Sequence, residues 1–283
     1  MAAITILIFE EEIMSWTQEM FGVEKPIIAL LHLHGLPGDP LYCGDMDMVY
    51  NQARQDLIAL QEGGVDGILI ANEFSLPYQL KVDMVTVGAM GYLVGKLKDK
   101  IKVPFGVNVV LNPLASLELA ASTGASFIRS AFTGAYMGEN GIVNTNVAET
   151  VRRKKELGLD HLKMLYKVNP ESDAYITPRD TKTIVKSIIF NCAPDALCVS
   201  GASAGSETST DVIAEVHSVA GNIPVFCNTG CNIETVQEKL SNSDGACVGT
   251  TFKVDGKFEN NVDPERVVKF MEKVREFRRT IRK

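Results

Sequence analysis

The chain has 283 residues, a formal net charge of −7 at pH 7, 46% hydrophobic residues and 22% charged residues. A chain of this length can bury a core without disulfide or metal support, and the composition is typical of soluble globular proteins. The acidic balance argues against nonspecific nucleic-acid binding, so we expect no nucleic-acid partner. Since no segment approaches the roughly 18 consecutive apolar residues of a membrane-spanning helix, we also expect no direct membrane insertion.

The N-terminal segment and the cysteines bear on the compartment. Residues 4–9 are apolar, but no basic residues precede them and three glutamates follow at 10–12, so we expect no signal peptide. The six cysteines are scattered through strand and helix patterns, which is typical of buried thiols in a reducing compartment. We therefore expect a cytoplasmic protein. Cys227 and Cys231 lie four positions apart, but no second pair or nearby histidine completes a zinc site, and we predict no metal and no cofactor.

A short apolar run followed by an amphipathic segment recurs along the chain. A short helix over residues 16–21 precedes the first strand. Strands are predicted to begin near residues 27, 67, 104, 127, 161, 196, 224 and 245. Helices are predicted between and after them, over residues 46–62, 83–100, 113–122, 146–157, 178–191, 209–220, 233–240 and 264–282. Two helix starts carry proline at the first helical position, after Thr177 and after Asp263.

Eight strand–helix alternations with nearly continuous apolar strands predict a parallel sheet covered by helices. Eight units favour closure into a single (β/α)8 TIM barrel, with an open doubly wound sheet as the alternative. We assign residues 26–283 to the barrel. Residues 1–25 form an N-terminal extension whose short helix is expected to cap the barrel bottom.

Polar residues stand near the carboxyl ends of the predicted strands, where barrels of this type carry their chemistry. Burying such a residue in an apolar strand is costly unless it faces a wet pocket or finds a partner. Each one alone is more often a satisfied structural residue, but ten at one end of different strands favour a site. They are His32, His34, Asn72, Glu73, Asn108, Arg129, Lys163, Lys167, Ser200 and Asn228.

Five of the residues in this region are catalytic candidates. Lys163 and Lys167 share one strand face, and Lys167 lies nearer the carboxyl end. An amine crowded by Arg129 in a low dielectric would favour its neutral form, which suits a base or a Schiff-base former. We expect His32 or Glu73 as the proton-transfer partner of Lys167, and Asn108 and Arg129 as ligands of hydroxyls or of developing negative charge.

The turns after the last strands predict a phosphate site. Strands near 224 and 245 both run into small-residue turns, and barrels of this type often hold phosphate there. Glycine permits close approach of the backbone, and free N–H groups at a helix start supply donors, although a tight turn alone would also need glycine. The small polar loop after the strand near 196 could close over the same ligand. The phosphate-binding candidates are Gly201, Gly205, Asn228, Thr229, Gly230, Gly249, Thr250 and Thr251.

Two connecting loops are longer than plain strand-to-helix turns. Residues 35–45 follow the first strand, and residues 133–145 follow the fourth. Loops of this length often shield a site, so both are candidate lids, with mobile surface loops as the alternative.

The sequence resembles the BtpA/SgcQ family, and the resemblance extends from about Pro26 to the C-terminal region. The residues that carry it are His32–Gly38, Gly64–Gly67, Gly106–Val109, Phe127–Arg129 and the segment from Gly249 to Val267. Asn72–Tyr78 and Asp195–Gly201 place the chain nearer the SgcQ branch. The resemblance implies a ribulose-phosphate-binding type of barrel. It also implies a link to sugar uptake and phosphorylation for SgcQ-like members, and to photosystem I stability for BtpA-like members.

The leading hypothesis is an enzyme that acts on a small phosphorylated metabolite, a sugar phosphate, by aldol cleavage or isomerisation, within sugar utilisation. The alternative is a non-catalytic stability or biogenesis factor for a membrane protein complex, as the BtpA branch suggests. Nucleotide binding or hydrolysis ranks below both, because neither a Walker pattern nor a carboxylate cluster for Mg²⁺ is present. We expect a phosphorylated small-molecule ligand and a homo-oligomer.

Overall fold

The computed structural model describes residues 14–203 and 205–281. Eight parallel strands close into a barrel. They are β1 (Ile27–His32), β2 (Gly67–Ala71), β3 (Phe105–Asn108), β4 (Phe127–Ser130), β7 (Lys163–Lys167), β9 (Ala196–Val199), β10 (Val225–Cys227) and β11 (Gly245–Val248). Their order around the barrel is β1-β11-β10-β9-β7-β4-β3-β2, so the first strand pairs with the last. The predicted (β/α)8 barrel is confirmed, and the open sheet is wrong.

Helices follow the barrel strands and cover the outside of the barrel. They are α2 (Met46–Gly63), α3 (Met84–Leu97), α4 (Pro113–Thr123), α5 (Val147–Glu156), α6 (Thr181–Cys192), α7 (Thr210–Ala220), α8 (Val236–Asn242) and α9 (Pro264–Ile281). Among the helices of the described ranges, none combines the length and the apolar character needed to cross a membrane.

The strand residues alternate between two buried layers, because successive side chains of a strand point to opposite faces. In β9, Ala196 and Cys198 belong to the cluster inside the barrel, whereas Leu197 and Val199 pack in the larger cluster under the helices. In β4 the same alternation places Phe127 inside. This period of two continues to the carboxyl ends, where the inward positions include His32, Arg129 and Lys167.

A short helix, α1 (Trp16–Phe21), closes the amino end of the barrel, as predicted. The Phe21 ring meets Phe127 edge-on at 5.9 Å between centroids. Gly67 makes room for that ring, since a Cβ there would lie 2.6 Å from Phe21 Cε1. The Trp16 indole N–H donates to the carbonyl of Asp195 at 2.9 Å, just before β9. The proposed extension 1–25 also includes residues 1–13, which lie outside the described residues.

A second, three-stranded antiparallel sheet lies beside the barrel mouth. It contains β5 (Ala135–Gly138), β6 (Gly141–Asn144) and β8 (Ala174–Tyr175), in the order β6-β5-β8. The predicted lid segment 133–145 is therefore a hairpin that pairs with the loop after β7. Two tyrosines hold the hairpin and the loop together, since the rings of Tyr136 and Tyr175 pack at 4.5 Å between centroids and their hydroxyls lie 3.1 Å apart.

One predicted helix start is wrong. Pro178 was expected at the first helical position, but α6 begins at Thr181. The Asp180 carboxylate accepts the Thr183 amide at 2.8 Å and caps the helix instead. The predicted start at Pro264 is confirmed, because Asp263 Oδ1 accepts the Glu265 amide at 2.9 Å.

Candidate active site

The carboxyl ends of the strands converge on two cavities that share Glu73 and Glu171. The small cavity has a volume of about 70 Å³ and lies at the ends of β1, β4, β10 and β11. The large cavity has a volume of about 690 Å³ and extends under the β5–β6 hairpin. Because both carboxylates line both cavities, we call their position the waist of the site.

The small cavity collects most of the predicted phosphate-binding residues. Its lining includes His32, Arg129, Gly205, Asn228, Thr229, Gly230, Gly249, Thr250 and Thr251. Thr250–Phe252 forms a single short 3-10 turn directly after β11. The first N–H groups of such a turn have no partner within the turn, so they are available as donors.

Two basic side chains of the small cavity are buried with polar atoms unpartnered. Neither ring nitrogen of His32 has a hydrogen-bond partner among the described residues, and the same holds for Nε of Arg129. Their side chains are only 4% and 3% exposed. Leaving such groups unpaired costs free energy, which a bound polar group would recover. These nitrogens therefore favour a ligand with oxygen acceptors in this cavity.

His32 is the neutral member of this group. Burial lowers the pKa of His32 well below its usual value, and the positive charges of Lys253 and Arg129 lower it further. Its ring packs against Phe74 and Phe258, with centroids 6.5 and 5.4 Å away. A neutral imidazole can donate one hydrogen bond and accept another.

A thiol pair lies below these groups inside the barrel. A hydrogen bond with Cys198 lowers the pKa of Cys247 to about 7; burial opposes this shift and the Arg129 guanidinium adds to it. Cys247 lines the small cavity. The floor of the cavity is thus polarisable rather than purely apolar.

Glu171 organises the opposite side of the waist. Its Oε2 accepts from Lys167 Nζ at 2.8 Å, and its Oε1 accepts from the Asn228 amide at 2.8 Å and from the Ser200 hydroxyl at 3.1 Å. Burial alone would raise the pKa of Glu171, but the charges of Lys167 and Arg129 outweigh it and lower that pKa. The carboxylate is therefore ionised and joins three strands.

Arg129 lies between the two carboxylates. Its Nη1 donates to Asn228 Oδ1 at 2.7 Å, and its Nη2 is 3.9 Å from Glu73 Oε1. The other oxygen of Glu73, Oε2, accepts from the Tyr78 hydroxyl at 3.0 Å. Burial and the Glu73 charge raise the pKa of Tyr78, so the phenol stays protonated as a donor.

The predicted catalytic residues all line this site. His32 and Arg129 line the small cavity, Asn108 and Lys167 line the large cavity, and Glu73 lines both. The expected crowding of Lys167 by Arg129 is not its closest contact, because Glu171 lies 2.8 Å from the amine.

Several glycines and threonines of the predicted phosphate site have structural tasks. A Cβ at Gly230 would lie 2.2 Å from the Glu207 Cα, so glycine here allows two loops to pack together. The Gly201 amide donates to the Thr229 hydroxyl at 2.6 Å, and the Thr251 hydroxyl donates to the Cys231 carbonyl at 2.8 Å. Gly201 does not belong to the lining of the small cavity among the described residues.

Other polar strand-end residues serve the scaffold. The Asn72 side chain accepts the Val110 amide at 2.8 Å. His34 stacks on Phe74 at 4.8 Å between centroids. Lys163 shares the inward face with Lys167 but lies at the other end of β7, where it donates to Asp195 at 3.2 Å.

Glu171 and Tyr78 are the main site residues that the strand pattern missed. Both lie in loops beyond the strand ends, where a count of polar positions within strands does not reach them. The charge pair of Lys167 and Glu171, four positions apart, was the available signal. This pair marks the site only because the loop after β7 turns back over the barrel, and the sequence does not reveal that turn.

The acidic and thiol groups of the site do not form a metal centre in the described ranges. In residues 14–203 and 205–281, no group of three or more His, Cys, Asp or Glu side chains is arranged to hold a metal ion.

The comparisons with known proteins agree with this barrel. The model of the BtpA family matches residues 23–276. The chain belongs to the BtpA family. The SgcQ protein of the sgc region of Escherichia coli is 47% identical over 268 residues, which covers 94% of this chain and 100% of that protein. The photosystem I biogenesis protein BtpA of Synechocystis is 30% identical over 261 residues and covers 91% of both chains. The family resemblance read from the sequence is thus confirmed.

A solved structure supports the fold. The (S)-3-O-geranylgeranylglyceryl phosphate synthase of Thermoplasma acidophilum, in complex with its substrate sn-glycerol-1-phosphate, superposes with a TM-score of 0.61. The match covers 93% of this chain and 99% of that chain at 15% sequence identity. At this identity the likeness shows the fold alone.

Proposed function

We propose that this chain is an enzyme that acts on a small phosphorylated metabolite, a sugar phosphate, by aldol cleavage or isomerisation. The observation that carries this proposal is the pairing of two unlike cavities at the waist. The small cavity has unpartnered nitrogens on His32 and Arg129, and the amides of Thr250 and Thr251 precede the first hydrogen bond of the turn. Both sets of groups suit a compact oxyanion. The large cavity offers room for the rest of the molecule beside Lys167 and Asn108.

The balanced charges around the waist are compatible with a ligand that carries an anionic group. Arg129 and Lys167 contribute two positive charges, and Glu73 and Glu171 contribute two negative charges. Attraction by net charge is therefore small, and directed donors must select the ligand. A phosphoryl group in the small cavity would accept from Arg129 Nε and from the turn amides. The barrel neighbour that holds sn-glycerol-1-phosphate provides a precedent for the ligand class on this fold.

A thermal-shift screen tests the ligand class. The panel contains aldose and ketose phosphates, the same sugars without phosphate, inorganic phosphate and nucleotides. A compound that binds only the native state raises the melting temperature, by an amount that grows with its concentration over its Kd. We expect a rise with one or more sugar phosphates and none with the matching free sugars. NMR of the same mixtures then detects turnover.

Gly249→Val locates the phosphoryl group. A Cβ at Gly249 would lie 3.0 Å from His32 Nε2, so valine fills the small cavity. We expect this variant to keep its circular dichroism spectrum and to lose the melting-temperature rise. The control is Gly95→Ala on α3, where a Cβ meets nothing within 4 Å. If no phosphorylated compound stabilises the wild type and a pull-down enriches one membrane complex, the non-catalytic alternative replaces this proposal.

A further inference from the structure

The amine of the site is engaged by a carboxylate. Lys167 and Glu171 form an ion pair at 2.8 Å with side chains that are 15% and 18% exposed. Glu171 is itself fixed by Ser200 and Asn228, so it cannot swing away without breaking two further hydrogen bonds. To attack a carbonyl carbon, the amine would have to leave this ion pair and present a free electron pair. In this arrangement Lys167 serves as a donor and a positive charge.

The free carboxylate oxygen of the waist belongs to Glu73. Its Oε2 is engaged by Tyr78, whereas its Oε1 lies 3.9 Å from Arg129 Nη2, beyond hydrogen-bond distance. The side chain is 16% exposed and lines both cavities. A ligand that spans both cavities, with its phosphoryl group in the small one, therefore passes this oxygen.

We propose that the site moves a proton between adjacent carbons of an aldose or ketose phosphate, with Glu73 as the base and Lys167 as an electrostatic group. This inference rests on the proposed function and chooses isomerisation over Schiff-base cleavage. Lys167 and Arg129 stabilise the oxyanion that forms when the proton leaves carbon. The roles predicted from the sequence for Lys167 and Glu73 are thereby exchanged.

The proposed step balances without a co-reactant. Glu73 takes the proton from the carbon next to the carbonyl, the C–H electron pair forms a carbon–carbon double bond, and the carbonyl π pair moves to oxygen. The neighbouring hydroxyl proton then passes to that oxygen by way of the neutral His32 ring. The new oxyanion collapses to a carbonyl, and the double-bond pair takes the proton back from Glu73 at the former carbonyl carbon. Glu73 ends as a carboxylate.

Proton exchange in D₂O tests the base. The wild-type protein is mixed with each sugar phosphate that raises its melting temperature, and deuterium at carbon is followed by ¹H NMR. We expect deuterium at the carbons next to the carbonyl. Glu73→Gln should slow this exchange by about 100-fold or more while keeping the melting-temperature rise. The matched control is Glu272→Gln, since Glu272 is exposed on α9 and lines neither cavity of the site. Exchange at the wild-type rate in Glu73→Gln overturns the proposal.

Two measurements test the role of Lys167. Borohydride reduction with a bound sugar phosphate should give no adduct on Lys167. Lys167→Arg keeps the charge but forms no Schiff base, so it should exchange deuterium within about 10-fold of the wild type, whereas Lys167→Met should lose about 100-fold. An adduct on Lys167, or loss of exchange in Lys167→Arg with ligand binding intact, overturns the proposal.

The two proposals fail in different ways. If no phosphorylated compound binds the wild type, the proposed function is wrong. If a sugar phosphate binds but exchanges no carbon-bound proton, only the isomerisation is wrong.

Discussion

The burial of the His32 ring affects the stability of the protein at acid pH. The folded chain keeps this ring neutral, because burial and the nearby Lys253 and Arg129 charges lower its pKa well below 6.5. Above about pH 6.5 the ring is neutral in the folded and unfolded chains and makes no contribution. As the pH falls below that value, only the unfolded chain takes up the proton, and unfolding becomes easier.

We therefore predict that, as the pH is lowered below about 6.5, the unfolding free energy of His32→Leu falls less steeply than that of the wild type. The dependence of the unfolding free energy on pH should fall by up to about 1.4 kcal/mol per pH unit between pH 6.5 and the lowered folded pKa. Urea unfolding at a series of pH values measures it. His161→Gln is the control, because His161 is exposed. Equal slopes for His32→Leu and the wild type would contradict a neutral buried ring.

The individual residues of the site were only partly predictable. The sequence identified Glu73, Arg129 and Asn228, because a strand's period of two fixes which side chains point inward. A polar side chain near the carboxyl end is costly to bury unless it faces the pocket or finds a partner. Their pairing could not be found, because it depends on distances across the barrel. Glu171 was missed because it lies in a loop beyond the end of β7, and its ion pair with Lys167 was missed with it.

At the scale of elements, helix packing depends on one glycine at the end of α2. A Cβ at Gly63 would lie 2.2 Å from Cγ1 of Val267 on α9. Gly63→Ala should lower the unfolding free energy by about 1–3 kcal/mol, because the helices must separate to admit the methyl group. Gly95 is an exposed position of α3 where a Cβ meets no atom within 4 Å, so Gly95→Ala should instead raise the unfolding free energy by about 0.5–1 kcal/mol.

A double variant identifies the cause of that loss. Val267→Ala removes the side chain that the new methyl group meets. If the clash is responsible, Gly63→Ala with Val267→Ala should cost less than the sum of the two single changes. Additive costs in urea unfolding would assign the effect to something other than this contact.

The elements themselves were largely predictable. Short, nearly continuous apolar runs, separated by amphipathic segments, predicted all eight barrel strands and their helices within a few residues. A predicted helix boundary was wrong where two neighbouring residues could each cap the start of the helix. Thr177–Pro178 and Asp180 both resemble helix starts, and the Asp180 carboxylate is the one that reaches a free amide. The β5–β6 hairpin was predicted only as a long loop, because its pairing with β8 joins segments about 35 residues apart.

For the whole molecule, the two ends of the barrel use similar residues for different purposes. Lys167 at the carboxyl end faces a cavity beside Glu171, whereas Lys163 at the amino end donates to Asp195 and lies over the Trp16 ring. Most polar side chains named at the amino end are paired with each other or with strand ends, and Nε of Arg278 is a buried nitrogen there without a partner within the described chain. At the carboxyl end, buried nitrogens of His32 and Arg129 remain unpartnered within the described chain. The unsatisfied hydrogen-bonding groups of His32 and Arg129 therefore carry a free energy cost at the carboxyl end, where a ligand could satisfy them.

The amino end also joins the two termini of the barrel through a buried ion pair. Arg278 on α9 binds the Asp66 carboxylate and donates to the Lys25 carbonyl at 2.9 Å, while Asp66 accepts the Ile27 amide at 2.8 Å. The side chains of Arg278 and Asp66 are 9% and 10% exposed. Removing one partner leaves a buried charge uncompensated. Because the contact holds the last helix against the first strand, its loss should weaken closure of the whole barrel.

We predict that Arg278→Met lowers the unfolding free energy by about 3–5 kcal/mol. The neighbouring Arg279 is exposed on the same helix turn, so Arg279→Met should change it by no more than about 0.5 kcal/mol. Urea unfolding followed by circular dichroism measures both, and an unchanged m-value would show that the barrel still unfolds as one unit. If the two variants lose equal stability, helix charge and not the clamp on Asp66 is responsible. If Arg278→Met instead splits the transition into two, α9 detaches before the barrel opens, and the pair stabilises one helix rather than the closed barrel.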